Sequence, residues 1–277
     1  MKRKLKPILV GPWWLIGSSP DLEGLLPGAA AFKAQWEKDV RVREHNAPVD
    51  HHIFHGPDGT WHLWGCVRNT VVGRILYHWE AESLTDSPWR ATGEIIRCDR
   101  EAGECLNDRS SEQIPSPYIV ESEGVYYMFY GGVTAGLMDA DGNLTDVADM
   151  DDRSSHIDTT HECQICLMTS EDGRHWTRHR DENGYSRLFV GPGTDRDPCV
   201  IEIDGQWYMY YIGYEGDGST NNGFVCRTSK DLVNWSDWTV VHRDDRFGGS
   251  PPYRCECPHV VYRDGYFYLF RTEAHYG

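Results

Sequence analysis

A glycine followed by an aromatic-rich apolar run recurs four times along the chain. The copies are Gly59-Thr60-Trp61-His62-Leu63-Trp64, Gly124-Val125-Tyr126-Tyr127-Met128-Phe129, Gly205-Gln206-Trp207-Tyr208-Met209-Tyr210 and Gly265-Tyr266-Phe267-Tyr268-Leu269-Phe270. Their glycines lie 65, 81 and 60 residues apart. A short β-branched or apolar run precedes each one: Ile53-Phe54, Ile119-Val120, Val200-Ile201 and Val260-Val261. Turn residues join the two runs, as in Pro57-Asp58-Gly59, Ser122-Glu123-Gly124, Asp204-Gly205 and Asp264-Gly265. Two apolar runs around a tight polar turn predict a β-hairpin.

A second pattern, a serine with a tryptophan six residues on, follows the first three hairpins: Ser83 to Trp89, Ser170 to Trp176 and Ser229 to Trp235. It predicts a strand, an Asp-centred turn and an aromatic that packs back onto its own sheet. Hairpin plus hairpin makes a four-stranded antiparallel sheet, and radial repetition of such sheets makes a β-propeller. The expected fold is therefore all-β, a propeller of four-stranded blades over residues 48–277, with 1–47 as an N-terminal segment able to donate ring-closing strands. A β-sandwich is the alternative that four matching hairpins argue against. The fourth unit begins near Cys255 and the sequence stops at Gly277, so the last blade is expected to be incomplete, as in a propeller truncated at its C-terminus.

Composition narrows the partners. The 43 Asp and Glu against 27 Lys and Arg give a formal charge of −16, which argues against nucleic acid or an anionic membrane surface. No run of 18 apolar residues occurs, so no membrane span is expected. Met1 to Ile16 imitates a signal peptide, but Gly11-Pro12 interrupts its apolar stretch and no clean cleavage site follows. Nine cysteines is an odd number for a disulfide framework, so a cytoplasmic location is expected, with a secreted form left open. The 11 Trp and 15 Tyr suit strands, and aromatic faces suit sugars. Trp61, Trp64 and Trp207 are read as blade core.

The acids carry the chemistry. Counting back from the turn glycines, Asp50, Asp197 and Glu256 fall eight or nine residues upstream, at the start of the innermost strand of three units. The second unit has Pro115-Ser116-Pro117 there. Strand starts from all blades converge on one end of the channel. Carboxylates meeting there cannot all ionise, so one stays protonated beside an ionised neighbour. That is the division of labour that cleavage of a glycosidic bond requires.

Arg196-Asp197-Pro198 and Glu256-Cys257-Pro258, behind the early Asp50, resemble the acid motifs of the five-bladed β-propeller glycosidases, glycoside hydrolase families 32, 43 and 68. The resemblance covers roughly residues 48–275. It implies Asp50 as nucleophile or general base, Asp197 as transition-state stabiliser or modulator of the acid, and Glu256 as general acid/base. His51-His52 after Asp50 replaces the Pro-Asn-Gly of the fructosidases, so the resemblance does not extend to a fructoside substrate. Arg196, His51, Ser116 and Arg271 are expected to touch the carbohydrate. A non-catalytic carbohydrate-binding propeller and a phosphate-dependent glycoside phosphorylase are the alternatives.

No cofactor or metal is expected. Asp139-Ala140-Asp141-Gly142-Asn143, within the acidic stretch 131–162, faintly resembles a calcium loop but lacks its ligand spacing and closing Glu. Cys163-Gln164-Ile165-Cys166 with His161 offers one cysteine pair and reads as the third strand of unit two. Asp195 is a weaker rival to Asp197, and Asp58, Asp204 and Asp264 are turn residues.

Overall fold

The computed structural model describes residues 8, 11, 14–18, 20–29, 47–105, 112–133, 163–191, 196–213, 223–243 and 253–275. The calcium-loop-like stretch at 139–143, His161 and Asp195 lie outside the described residues.

Among the described residues, four sheets follow one another along the chain, antiparallel apart from one short parallel pairing. The first runs β1 (Ala47–His55), β2 (Trp61–Thr70), β3 (Gly73–Ala81) and β4 (Arg90–Ile96), with the two-residue β5 (Glu112–Gln113) parallel to β3. The second holds β6 (Tyr118–Ser122), β7 (Val125–Val133), β8 (Cys163–Ser170) and β10 (Arg187–Val190), with β9 (Thr177–Arg178) beside β8. The third runs β11 (Arg196–Ile203), β12 (Gln206–Ile212), β13 (Gly223–Ser229) and β14 (Thr239–Arg243). The fourth is the hairpin β15 (Tyr253–Arg263) and β16 (Tyr266–His275). The first strands adjoin in sequence, β1 on β6, β6 on β11 and β11 on β15. This is the radial order of a propeller, with those strands innermost.

The turns form as their residues dictate. Glu123-Gly124, Asp204-Gly205 and Asp264-Gly265 each have positive φ at both positions, the two-residue hairpin whose twist matches the flanking strands. The first hairpin is longer: His55 pairs with Trp61, leaving five residues between them.

Strand pleat explains why the aromatic runs lack polar alternation. On β7, Tyr126, Met128 and Tyr130 join a core with Trp64, Cys66 and Leu76 of the first sheet. Phe129, between them in sequence, joins Met209, Tyr211 and Val225 of the third sheet. Tyr210 of β12 faces the other way, packing with Cys226 and Val260. A sheet sandwiched between two others buries both faces, so successive residues are all apolar. The first sheet's other face is covered by the N-terminal segment, where Leu22 and Leu26 pack on Ile75, Tyr77 and Trp79.

The serine–tryptophan turns form. Trp89 joins the core of its own first sheet with Leu63, Ile75 and Tyr77, as expected. Trp176, after β8, belongs to a cluster with Met168 of its own sheet and also meets Trp64 of the first sheet edge-on. Trp235, after β13, belongs to a cluster with Val225 of its own sheet and meets Phe129 of the second sheet in the same way. In the second and third units the aromatic is also a clasp onto the preceding blade. The turn itself is held as expected: Ser229 Oγ and Asp231 accept the backbone N–H groups of Leu232, Val233 and Asn234, and Ser170 with Asp172 repeats the arrangement.

Candidate active site at the propeller axis

Backbone pairing identifies the equivalent positions more accurately than turn glycines do. Trp61, Tyr126, Trp207 and Phe267 each stand two residues after their glycine, and they pair with His55, Glu121, Glu202 and Tyr262. Five residues upstream of those partners stand Asp50, Ser116, Asp197 and Cys257. Cys257, and not Glu256, therefore occupies the fourth equivalent position. Glu256 stands one residue earlier, at the place that Arg196 takes in the third sheet.

These four residues touch. Ser116 Oγ lies 3.0 Å from Asp50 Oδ2 and 2.5 Å from Asp197 Oδ1. The backbone N–H of Cys257 donates to Asp197 Oδ2 at 3.0 Å, and its Sγ lies 3.9 Å from Asp50 Oδ1. One oxygen each of Asp50 and Asp197 and the Cys257 sulfur all lie within 4.8 Å of one another.

The backbone is shaped to bring them there. Register shifts interrupt the pairing between Val49 and His51, between Arg196 and Cys199 and between Glu256 and His259. Ser116, Asp197 and Cys257 have φ of 59°, 57° and 53°, and each precedes a proline. A side-chain-bearing residue before proline strongly prefers extended backbone. Left-handed conformations there cost about 1–3 kcal/mol each and persist where surrounding structure enforces them, commonly at functional sites. Below, Gly131 donates its N–H to the Pro115 carbonyl. A Cβ at Gly131 would come within 3.1 Å of Pro115 and 3.5 Å of Arg196 Cβ, so the close approach needs glycine.

Proton counting assigns the state of the pair. The Ser116 hydroxyl has one hydrogen and faces two carboxyl groups. It can donate to one, and the other contact is a hydrogen bond only if that carboxyl carries a proton and donates to the serine oxygen. The shorter contact, to Asp197, has the length of a hydroxyl on a carboxylate. That leaves the proton on Asp50. Burial raises the Asp50 carboxyl above its ordinary range, and the Asp197 charge adds to this; Ser116, Arg74 and Arg196 oppose it without reversing it.

Glu256 points into a different contact. Arg196 Nη2 lies 2.6 Å from Glu256 Oε1, while Arg196 Nε is 3.9 Å from Asp197 Oδ1. The guanidinium thus stands between Glu256 and the aspartate pair. His51 is exposed beside Asp50. His52 is one layer deeper: its ring packs tilted against Tyr118, centroids 4.1 Å apart, and its Nδ1 accepts the Ile119 N–H at 3.3 Å. Burial, with His259 and His51 nearby, takes its imidazole down to about 3, so it is neutral. Arg271 is not brought to the ring; it meets His242 and Cys255 between the third and fourth sheets.

Three groups at the site carried no weight in the sequence. Cys257 was hidden by counting from the wrong landmark. Arg74, on β3, acts on Asp50 through its charge, and nothing in its local sequence marks it. Cys66 accepts the Ser116 backbone N–H; burial foremost takes its thiol up to about 12, so it remains protonated.

No family model matches the sequence, and no curated protein does. Solved structures do match its fold. A family 32 β-fructofuranosidase from Bombyx mori superposes with TM-score 0.53 at 17% identity, over 90% of this chain and 48% of the enzyme. A sucrose-6-phosphate hydrolase from Lactobacillus gasseri gives 0.55 at 16%, over 88% and 45%. A family 43 endo-arabinanase from Bacillus licheniformis gives 0.51 at 16%, over 82% and 66%. This chain spans about half the length of the first two. Its fold is that of the β-propeller glycoside hydrolases of families 32 and 43.

Proposed function

We propose that the chain is a glycoside hydrolase acting on an oligosaccharide or glycan at the axis where its sheets converge. The observation that carries this reading is the Asp50–Ser116–Asp197 contact. It holds a protonated and an ionised carboxyl a few ångströms apart, on a fold that such hydrolases use. In this reading Glu256 gives its proton to the leaving oxygen. Asp50 is the nucleophile or general base, and Asp197 stabilises the positive charge that develops on the sugar.

The resting geometry sets two conditions. Asp50 must pass its proton to solvent before it can attack or activate water, and a substrate hydroxyl bound against Ser116 prompts this by replacing one partner of the shared hydrogen bond. Glu256 must leave Arg196 and take up a proton from solvent before it can donate one, and it is freed to do so when Arg196 turns to a sugar hydroxyl. Arg196, Ser116 and His51 are then the substrate-binding groups.

The Arg196–Glu256 ion pair favours one second reading, a non-catalytic carbohydrate-binding propeller in which no free acid is needed. Reducing-sugar release from a panel of glycans, with and without phosphate, separates the readings. Phosphate-independent release, reduced at least about a hundredfold in Glu256→Gln and in Asp50→Asn, is expected. Saturable binding without release would support the binding module. Release that depends on phosphate would identify a phosphorylase. Turnover intact in both variants would place the chemistry elsewhere.

A further inference from the structure

A second constellation lies away from the axis, where the first sheet meets the turn that follows β8. His62 and Glu80 are directly opposed on β2 and β3, and His78 lies two residues before Glu80 on the same face. Both imidazoles are fully buried, and Glu80 is 8% exposed. His62 Nδ1 is 3.0 Å from His78 Nε2.

The outward nitrogens fix the tautomers. His62 Nε2 faces the Asp58 carboxylate at 3.3 Å, so it carries a hydrogen. His78 Nδ1 faces Glu94 Oε2 at 3.1 Å and Thr92 Oγ1 at 3.1 Å. The Thr92 hydroxyl spends its one hydrogen on the His78 carbonyl, so towards the ring it can only accept. His78 Nδ1 therefore also carries a hydrogen. In neutral rings that leaves two bare lone pairs, on His62 Nδ1 and His78 Nε2, pointing at each other. Three contacts need protons and two neutral imidazoles supply two. The arrangement is short of one cation.

We propose that His62, His78 and Glu80 bind a divalent transition ion of the zinc class. Two nitrogens on a tetrahedral zinc stand about 3.3 Å apart, given zinc–nitrogen bonds of about 2.0–2.1 Å. The pair here is close to that separation, and one nitrogen of each ring and a Glu80 oxygen lie within 4.8 Å of one another. Imidazole and carboxylate are the ligand types such an ion takes. Each ring also has a carboxylate on its far nitrogen, Asp58 or Glu94, which is the outer support that metal-bound histidines usually have. Glu80 is ion-paired with Arg174 through Oε2 and with Arg90 through Oε1. A carboxylate has about four lone-pair sites, so these two pairings do not exhaust its capacity to hold an ion. Arg174 also reaches Asp58, and Trp64, stacked on His78, donates to the Gly173 carbonyl. All three donors belong to the first sheet, so the ion would brace β2 against β3 beside the turn that follows β8.

The test uses the full chain, stripped with a chelator and titrated with Zn²⁺ by calorimetry, with metal content read by mass spectrometry. Uptake of one ion per chain and a higher Tm are expected. So is a visible absorption spectrum of nitrogen and oxygen coordination when Co²⁺ is used. Asp58→Asn keeps all three donors and should weaken uptake about ten- to a hundredfold. His78→Gln should abolish it. Cys257→Ser, at the separate Asp50–Asp197–Cys257 group, should leave it unchanged. No uptake by the folded chain, uptake that survives His78→Gln, or uptake lost in Cys257→Ser would overturn the proposal. So would ¹⁵N spectra of the titrated protein showing a shared proton between the rings. None of these readouts involves sugar release.

Discussion

Replacing Asp50 by Asn should make the fold more stable at neutral pH. The carboxyl is buried in the ring, and an oxygen of Asp197 lies within 4.8 Å of one of its own. Two unit charges at that distance repel by about 3.5 kcal/mol at an effective dielectric of 20. Against this stand the Ser116 hydrogen bond and the attraction of Arg74 and Arg196, which together do not cancel burial and repulsion, since the Asp50 carboxyl remains raised above 3.8. An acid raised in the folded state binds more protons folded than unfolded. Its contribution to stability is therefore greatest below its unfolded value and falls as pH rises through the folded one. At pH 7 the unfolded carboxyl is ionised, so folding must take up a proton to bury Asp50, and that uptake is a net burden on the fold. Asn needs no proton and still offers an N–H to the Ser116 oxygen. A net gain of about 1 kcal/mol raises Tm by roughly 2–4 °C in a chain of this size. Calorimetric melts of the two proteins at intervals from pH 7 to pH 4 would measure it. The gain should shrink as pH falls towards the ordinary value of 3.8, where the unfolded carboxyl is protonated too and folding no longer has to take up a proton. A lower Tm for Asp50→Asn at pH 7, or a gain independent of pH, would refute the account of the ring.

Two further outcomes follow from other contacts. Glu104 is fully buried and held by Arg178 at 2.8 Å, by Ser186, and by Tyr130; Arg178→Met strands that charge and should cost about 3–5 kcal/mol, lowering Tm by roughly 10 °C. Asp231 is pushed up by desolvation but pulled further down, to about 2, by the donors of Asn234, Val233 and Ser229. Asp231→Ala should cost about 1 kcal/mol at pH 7, and the gap between the two denaturation curves should close as pH drops from 3.8 towards 2, where wild-type Asp231 takes up its proton.

The hairpins were legible because each signal is local. A glycine at positive φ and an apolar run on either side need no knowledge of the rest of the chain. The site was legible only up to one residue. The longer loop between His55 and Trp61 changes the distance from Gly59 to the strand start, and counting from glycines therefore aligned Asp50 with Glu256 when backbone pairing aligns it with Cys257. Asp197 and Ser116 survive either count. Arg74 was invisible because its charge reaches the ring from the third strand of a sheet. Arg271 follows a rim-like sequence position yet sits between sheets. The tryptophans after Ser170 and Ser229 are half-buried, and that they also reach the preceding sheet depends on inter-blade packing that periodicity does not encode. The His62–His78 pair escaped notice because cross-strand partners sixteen residues apart form no motif until the register is known.

The contact between Asp50 and Cys257 joins positions 207 residues apart, with Ser116 and Asp197 drawn from between them. Asp50, Ser116 and Asp197 come from the first three sheets, and Cys257 and Glu256 arrive only with the fourth hairpin. Contacts so far apart in sequence carry a high closure cost. Anything that keeps β15 from β11 would take Glu256 and Cys257 out of the centre without touching a single ionisable side chain.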